Sequence, residues 1–344
     1  MTKKLQAGAA VVTAGVLLAL AAPAIAQTTI TLSSWVPPRH MVNADVLLPW
    51  SKMVEKETQG RVKIKTLSKA VGKPPAHFDI ARKGLADMTF GVHGYTPGRF
   101  VLTQAVELPF LGNKSEHTSV AYWRMYKKYM AKANEHKGIK LITVFTHGPG
   151  SLMSTKGKIG KVADLKGMKM RIGGGVVHEV AKRLEVVPMF KPAPQVYELL
   201  SRGVADGVFF PLDGINGFRL EKIVKHVTTI PGGLYNTSFF VAMNPKKYNS
   251  IPKKDRDIID KLSGEFMAKM AGKAWDKRDA HSVADLKKAG GQVHVASSAM
   301  VAEIKKRTAD VEGAWVKRAA KTGVDGKKLL ADLRAEIKKL SGGK

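Results

Sequence analysis

Leu165-Lys166-Gly167-Met168-Lys169-Met170-Arg171-Ile172-Gly173 reads as a short strand that ends on an arginine and runs straight into glycines. The strand is predicted over residues 168–172. Gly173-Gly174-Gly175 then opens a helix whose Val176, Val180 and Leu184 recur at i, i+4 and i+8, the spacing of one buried helical face. Strand, glycine turn and helix in that order are a unit of an open α/β sheet, where ligands collect outside the carboxyl ends of the strands. Arg171 stands at such an end. Its planar donors match a carboxylate bidentately, and it stays charged when partly desolvated. The helix N-terminus near Gly175 is expected to add amide donors and a favourable dipole.

The same rhythm extends outward from this stretch. Strands are predicted over residues 29–33, 62–66, 88–92, 141–145, 207–210 and 238–243, with helices over 76–84, 115–136 and 195–202 between them. Leu47, Trp50 and Val54 share one helical face; so do Leu262, Phe266 and Met270, and Leu329, Leu333, Ile337 and Leu340. From residue 244 onward the chain reads as helical. Strands interleaved with helices imply parallel-rich sheets covered on both faces. No repeat or low-complexity linker separates domains, so the chain is expected to cross between two lobes more than once, leaving both discontinuous.

The amino terminus carries an address. Lys3 and Lys4 precede an apolar run from Ala7 to Ala22, and Ala24-Ile25-Ala26 supplies a small-x-small cleavage pattern. The run is shorter than the roughly 20 apolar residues of a membrane span. Export to the periplasm with cleavage after Ala26 is expected, leaving 318 of the 344 residues, enough for two domains. The chain has no cysteine, which excludes disulfides and thiolate metal sites. Its formal charge is +29, and nucleic acid is the first partner such an excess suggests. Yet the lysines are spread over predicted helix faces, and no nucleic-acid-binding motif accompanies them. A solvated basic surface is the preferred reading, with no nucleic-acid partner.

Motifs for catalysis are missing. The sequence has no Walker loop, no G-x-S-x-G, no H-E-x-x-H and no EF-hand loop. Its ten histidines are scattered without metal-ligand spacing; His93 and His147 follow predicted strand ends and are possible ligand contacts. In Gly203-Val204-Ala205-Asp206-Gly207-Val208-Phe209-Phe210-Pro211, Asp206-Gly207 makes a tight entry into a strand. Alternation then sends Phe209 and Phe210 to opposite faces, one to the core and one toward a cleft. Trp35, Tyr95 and Tyr235 also lie just past predicted strands. No enzyme activity and no cofactor are expected.

An ordered set of segments resembles the solute-binding proteins of TRAP transporters, the tripartite ATP-independent periplasmic family. The set is Trp35-Val36-Pro37-Pro38-Arg39-His40, Gly84-Leu85-Ala86-Asp87-Met88-Thr89-Phe90-Gly91, Glu107-Leu108-Pro109-Phe110-Leu111, residues 165–171, residues 203–211, and Met243-Asn244 followed by Ile251-Pro252. The resemblance spans essentially the whole chain past the leader. It implies a two-lobed α/β fold with connecting strands and a long helix, hinge closure around a small organic acid, and delivery to membrane permease subunits driven by an ion gradient. The family's carboxylate-binding arginine matches Arg171.

The departures narrow the ligand. Many members carry Asn or Glu where this chain has Phe210, and sialate-type members carry a second arginine near His147-Gly148-Pro149-Gly150-Ser151. One arginine beside Trp35, Tyr95 and Phe210 suits an apolar or aromatic monocarboxylate. His147, Tyr235, Arg99 and Asn236 complete the candidate ligand-binding set, and no metal ligand is proposed. The lobes are expected at residues 27–148 plus 237–276 and residues 149–236 plus 277–344, after a signal peptide over residues 1–26. A monomer is expected. The alternatives are a binding protein that senses its ligand for a receptor, an exported hydrolase, and a basic anion- or nucleic-acid-binding protein.

Overall fold

The computed structural model describes residues 27–343; the leader and its cleavage site lie outside the described residues. Eleven strands occur among them: β1 (Thr28–Ser33), β2 (Val62–Thr66), β3 (Met88–Val92), β4 (Lys140–Thr146), β5 (Ser151–Ser154), β6 (Lys169–Ile172), β7 (Val187–Phe190), β8 (Gly207–Phe210), β9 (His226–Thr229), β10 (Ser238–Met243) and β11 (Gln292–Val295). They form two sheets. The first has the order β2-β1-β3-β10-β4 and the second β11-β9-β5-β8-β6-β7. β1, β2 and β3 run parallel, whereas β10 is antiparallel to β3 and β4. In the second sheet β6 lies parallel between β7 and β8.

The central strands β3, β8 and β10 are buried along their whole length, as their runs of apolar residues require. Along β10, Phe239, Val241 and Met243 enter one hydrophobic cluster and Phe240 and Ala242 the other. β8 splits likewise, with Phe209 on one side and Val208 and Phe210 on the other. The cluster holding Phe239 and Phe210 therefore runs under both sheets.

Three segments carry the chain between the sheets. Residues 147–150 join β4 to β5, and residues 230–237 join β9 to β10. These two connectors are hydrogen-bonded to each other, with the Gly150 amide donating to the Tyr235 carbonyl at 2.8 Å. Gly150 leaves no room for a Cβ against the Tyr235 ring, which explains glycine there. The third connection is the helix Glu265–Lys288, whose 24 residues span about 36 Å. Asp276 on this helix accepts the amides of Ser115 (2.8 Å) and Glu116 (3.1 Å), capping helix Ser115–Met125 from outside. The last helix, Gly326–Leu340, buries Leu329, Leu333 and Ile337 as its periodicity predicts, and packs against Ser115–Met125.

The structure departs from the sequence reading in several places. β5, β7, β9 and β11, of four residues each, are not anticipated by the sequence. β7 also carries Pro188, tolerated because β7 is an edge strand. β11 breaks the expected all-helical tail. The predicted helix over 115–136 stays α-helical only to Met125, widens through Tyr126–Met130 and ends at Asn134 with φ +58°. The stripe Leu262–Phe266–Met270 is interrupted at Ser263-Gly264, leaving Phe266 exposed; Met267, Ala271 and Trp275 are buried instead.

Trp50 is fully buried, and its indole N–H donates to the Leu262 carbonyl at 2.7 Å, locking the first helix (Leu48–Glu57) onto Lys253–Leu262. Trp50→Ala is expected to reduce stability by about 3–5 kcal/mol. The shift of the urea midpoint at constant slope measures it.

Candidate functional site

Arg171 is only 1% exposed although it carries a full charge. It pairs with Met189 of β7 and Val208 of β8, and strand alternation turns it away from Met170 and Ile172 toward the face of Phe210. Its Nε donates to the Lys191 carbonyl at 2.8 Å, and Nη2 stands 3.5 Å from the Tyr95 hydroxyl. The Phe210 ring lies 5.0 Å from the guanidinium carbon. No carboxylate among the described residues makes an ion pair with Arg171. A buried cation without an anion is costly, and the missing partner is the strongest feature of the molecule.

The guanidinium borders a small cavity lined mainly by aromatic side chains. The cavity lies between the two sheets, on the side of the shared hydrophobic cluster. Of the residues expected to meet a ligand, Arg171, Phe210, Trp35, Tyr95, His147 and Tyr235 line it together. Trp35 stacks on Phe90 at 5.1 Å and donates its indole N–H to the Phe90 carbonyl. The Tyr95 hydroxyl accepts the Ala193 amide at 2.8 Å; burial pushes its pKa up, so it stays protonated. His147 faces the Gly148 carbonyl through Nδ1 and meets Tyr235 and Phe239 edge-on. Burial lowers its pKa to about 4, the Gly148 contact opposes that shift, and the Arg171 charge adds to it, so the ring is neutral near pH 7.

Other expected contacts lie elsewhere. Arg99 is a correction: it is on the outer surface, paired with Asp79 at 3.1 Å and placed over the Phe78 ring. Asn236 is buried between two lining residues but does not line the cavity itself. His93 is also outside it. Its Nε2 stands 2.8 Å from His136 Nε2, inside a cage that includes Phe100 and Phe240. The helix N-terminus after Gly175 does not serve a ligand either. The buried carboxylate of Glu107 accepts the Val176 amide at 2.9 Å and occupies the place of an incoming anion. Gly175, at φ +75°, leaves no space for a Cβ beside that carboxylate.

Residues the sequence reading passed over complete the walls. Phe239 stacks on Phe90 (5.6 Å) and on Trp275 (5.2 Å), and Phe218 stands 5.0 Å from His40. Asp213 is buried, with Oδ2 3.8 Å from His40 Nε2. Burial raises the Asp213 pKa to about 7 and lowers that of His40 to about 4. Asp213 and His40 each follow a strand end, the signal that singled out Arg171; Trp275, in mid-helix, carries no such signal. Among the described residues no cluster of His, Cys, Asp or Glu could hold a metal, and no helix is long and apolar enough to cross a membrane.

Two lobes, a cavity between them and an unpartnered buried cation facing it define a binding protein for a small anionic solute. The chain matches "Bacterial extracellular solute-binding protein, family 7" over residues 32–317 and belongs to that family. A solved TRAP periplasmic solute-binding protein from Bordetella bronchiseptica, with bound (R)- and (S)-mandelate, is 44% identical; the match covers 91% of this chain and 99% of that one at a TM-score of 0.89. A TRAP solute-binding protein from Rhodoferax ferrireducens, in complex with copurified benzoate, is 29% identical over 91% of this chain and 98% of its own at a TM-score of 0.86. The "Outer membrane transporter protein TsaT" of Comamonas testosteroni is 29% identical over 94% of this chain and 96% of its own.

Burial alone holds the His136 pKa down to about 3, against 6.5 for the free side chain. Between those values the unfolded chain binds a proton that the folded one does not, so stability falls as pH drops below 6.5. His136→Gln is expected to flatten this acid limb by about 1.4 kcal/mol per pH unit. Urea unfolding of both proteins from pH 7 to 5 reads the difference in slope.

Proposed function

We propose that this protein is the periplasmic receptor for an aromatic monocarboxylate, which it captures by hinge closure and hands to the permease of a TRAP-type secondary transporter. The observation that carries the reading is the Arg171 guanidinium, buried at one end of an aromatic cavity with no carboxylate of its own chain. The donors of Arg171 that Lys191 does not use, together with the Tyr95 hydroxyl proton, supply hydrogen bonds to both oxygens of a carboxylate. Trp35, Phe90, Phe210 and Phe239 then offer faces and edges to a flat ring. The aromatic acids bound by the relatives from Bordetella and Rhodoferax support this choice.

Closure brings Tyr95, which follows β3 of the first sheet, against Arg171 on β6 of the second. The moving bodies are proposed to be residues 27–148 plus 237–276, joined by residues 326–340, and residues 149–236 plus 277–325, a division that shifts the last helix out of the lobe expected for it. Helix Gly326–Leu340 packs on Ser115–Met125 and moves with the first body. Cleavage after Ala26, a monomeric receptor and the absence of catalysis complete the proposal.

Removing one partner of a buried charged pair costs about 3–5 kcal/mol. Arg171→Ala should therefore weaken benzoate binding by at least about 100-fold while leaving the unfolding midpoint near that of the parent. Calorimetry of the mature protein decides it, and an unaltered dissociation constant would remove Arg171 from the site.

A further inference from the structure

We propose that the end of the cavity away from Arg171 is a second polar subsite, in which Asp213 Oδ1 and Trp275 Nε1 together receive a hydroxyl group on the ligand's ring. This assignment rests on the aromatic-carboxylate reading and specifies its substrate class. Both atoms are buried, both residues line the cavity, and neither atom has a hydrogen-bond partner. Buried polar atoms left in this state are rare in folded proteins. One is an acceptor and the other a donor, yet they do not satisfy each other: the indole lies near enough to oppose the rise in the Asp213 pKa without reaching hydrogen-bond geometry.

The corner is built from three separate stretches of chain. Asp213 follows β8, and its amide donates to Asp279 Oδ1 at 2.7 Å. Trp275 and Asp279 are one turn apart on the long helix, and His40, beyond β1, approaches Asp213 Oδ2. The charge is one-sided. The nearest arginine on the helix, Arg278, is paired with Asp45 at 2.5 Å, leaving two buried acids side by side. A second ligand carboxylate would find no free cation among the described residues to pair with here, Arg278 being held by Asp45. A methyl group would satisfy neither atom, and an ammonium would leave the indole N–H unmatched. A hydroxyl donates once and accepts as well, so it satisfies both.

Aromatic walls connect this corner to the guanidinium. On one side Phe210 lies over Arg171, Phe218 is 5.5 Å beyond Phe210, and His40 is 5.0 Å beyond Phe218. On the other, Trp35, Phe90, Phe239 and Trp275 follow one another at 5.1, 5.6 and 5.2 Å. A ring lying between them with its carboxylate on Arg171 turns its far edge toward Asp213 and Trp275.

The test is calorimetry with benzoate, 3-hydroxybenzoate and 4-hydroxybenzoate on the parent, Trp275→Phe and Asp213→Ala. At least one hydroxylated acid should bind the parent about 10-fold more tightly than benzoate. In each variant that ratio should fall to within about twofold of unity. Trp275→Phe removes the N–H together with part of the ring, a loss of wall that all three acids meet alike, so the ratio decides the matter even if Asp213→Ala does not fold. A parent that gains nothing from either hydroxyl overturns the subsite, as does a preference that survives in the folded variants. If benzoate binds and Arg171→Ala abolishes it while no hydroxyl helps, only the subsite falls. If none of the three acids binds, the aromatic-carboxylate reading falls and takes the subsite with it.

Discussion

The guanidinium of Arg171 is withdrawn almost completely from water and held by a peptide carbonyl and a phenol, neither of which carries a negative charge. Desolvating a cation is unfavourable unless a counter-charge comes close, and in an apolar enclosure that attraction is far stronger than in water. Every nearby choice preserves this condition. The strand carries the arginine inward, and Phe210 covers it. The result is a site whose largest electrostatic deficit is made good from outside the chain.

The placement of the buried acids follows from the same condition. Glu107 opens the Glu107-Leu108-Pro109-Phe110 segment, and it is spent on the amide of Val176 and the hydroxyl of Ser238 rather than on Arg171. It neutralises the helix N-terminus that sequence alone would assign to the ligand. Asp213 and Asp279 make no ion pair with the guanidinium among the described residues; Asp213 approaches His40 and donates its amide to Asp279. A carboxylate of the protein on Arg171 would have made a stable internal ion pair and abolished the site.

The legibility of the sequence follows the range of the forces involved. Arg171, Tyr95 and Phe210 could be read because each follows or ends a strand, and strand ends in open sheets point to the cleft. Arg99 is elsewhere, because Asp79 and Phe78, about twenty residues away, capture it. Trp275 could not be read at all, since a tryptophan in mid-helix has the pattern of a core residue. Four of the six strands of the second sheet escaped for a different reason: their pairing is decided by neighbours distant in the chain. β6 and β8, equally short, could be read from the glycine turns at their ends. The long strands and the terminal amphipathic helix are local patterns, and they stand where periodicity put them.

Both polar corners of the cavity straddle the two lobes. Tyr95 follows a strand of the first sheet and Arg171 ends one of the second; His40 and Asp213 repeat that arrangement at the far corner. Direct contact between the lobes adds to this, both hydrophobic clusters drawing residues from each. It includes the Glu107–Val176 hydrogen bond and the backbone approach of Gly94 to Gly174, where a Cβ on Gly174 would come within 2.5 Å of the Gly94 carbonyl oxygen. Such contacts can hold a closed form without committing the protein to it. A ligand can shift the equilibrium only by its differential affinity for the two forms. With hydrogen-bonding groups of both lobes at each corner, a solute satisfies them fully only once the lobes have met. Recognition and closure then draw on the same free energy, and an acid that leaves the far corner unmatched closes the protein less completely.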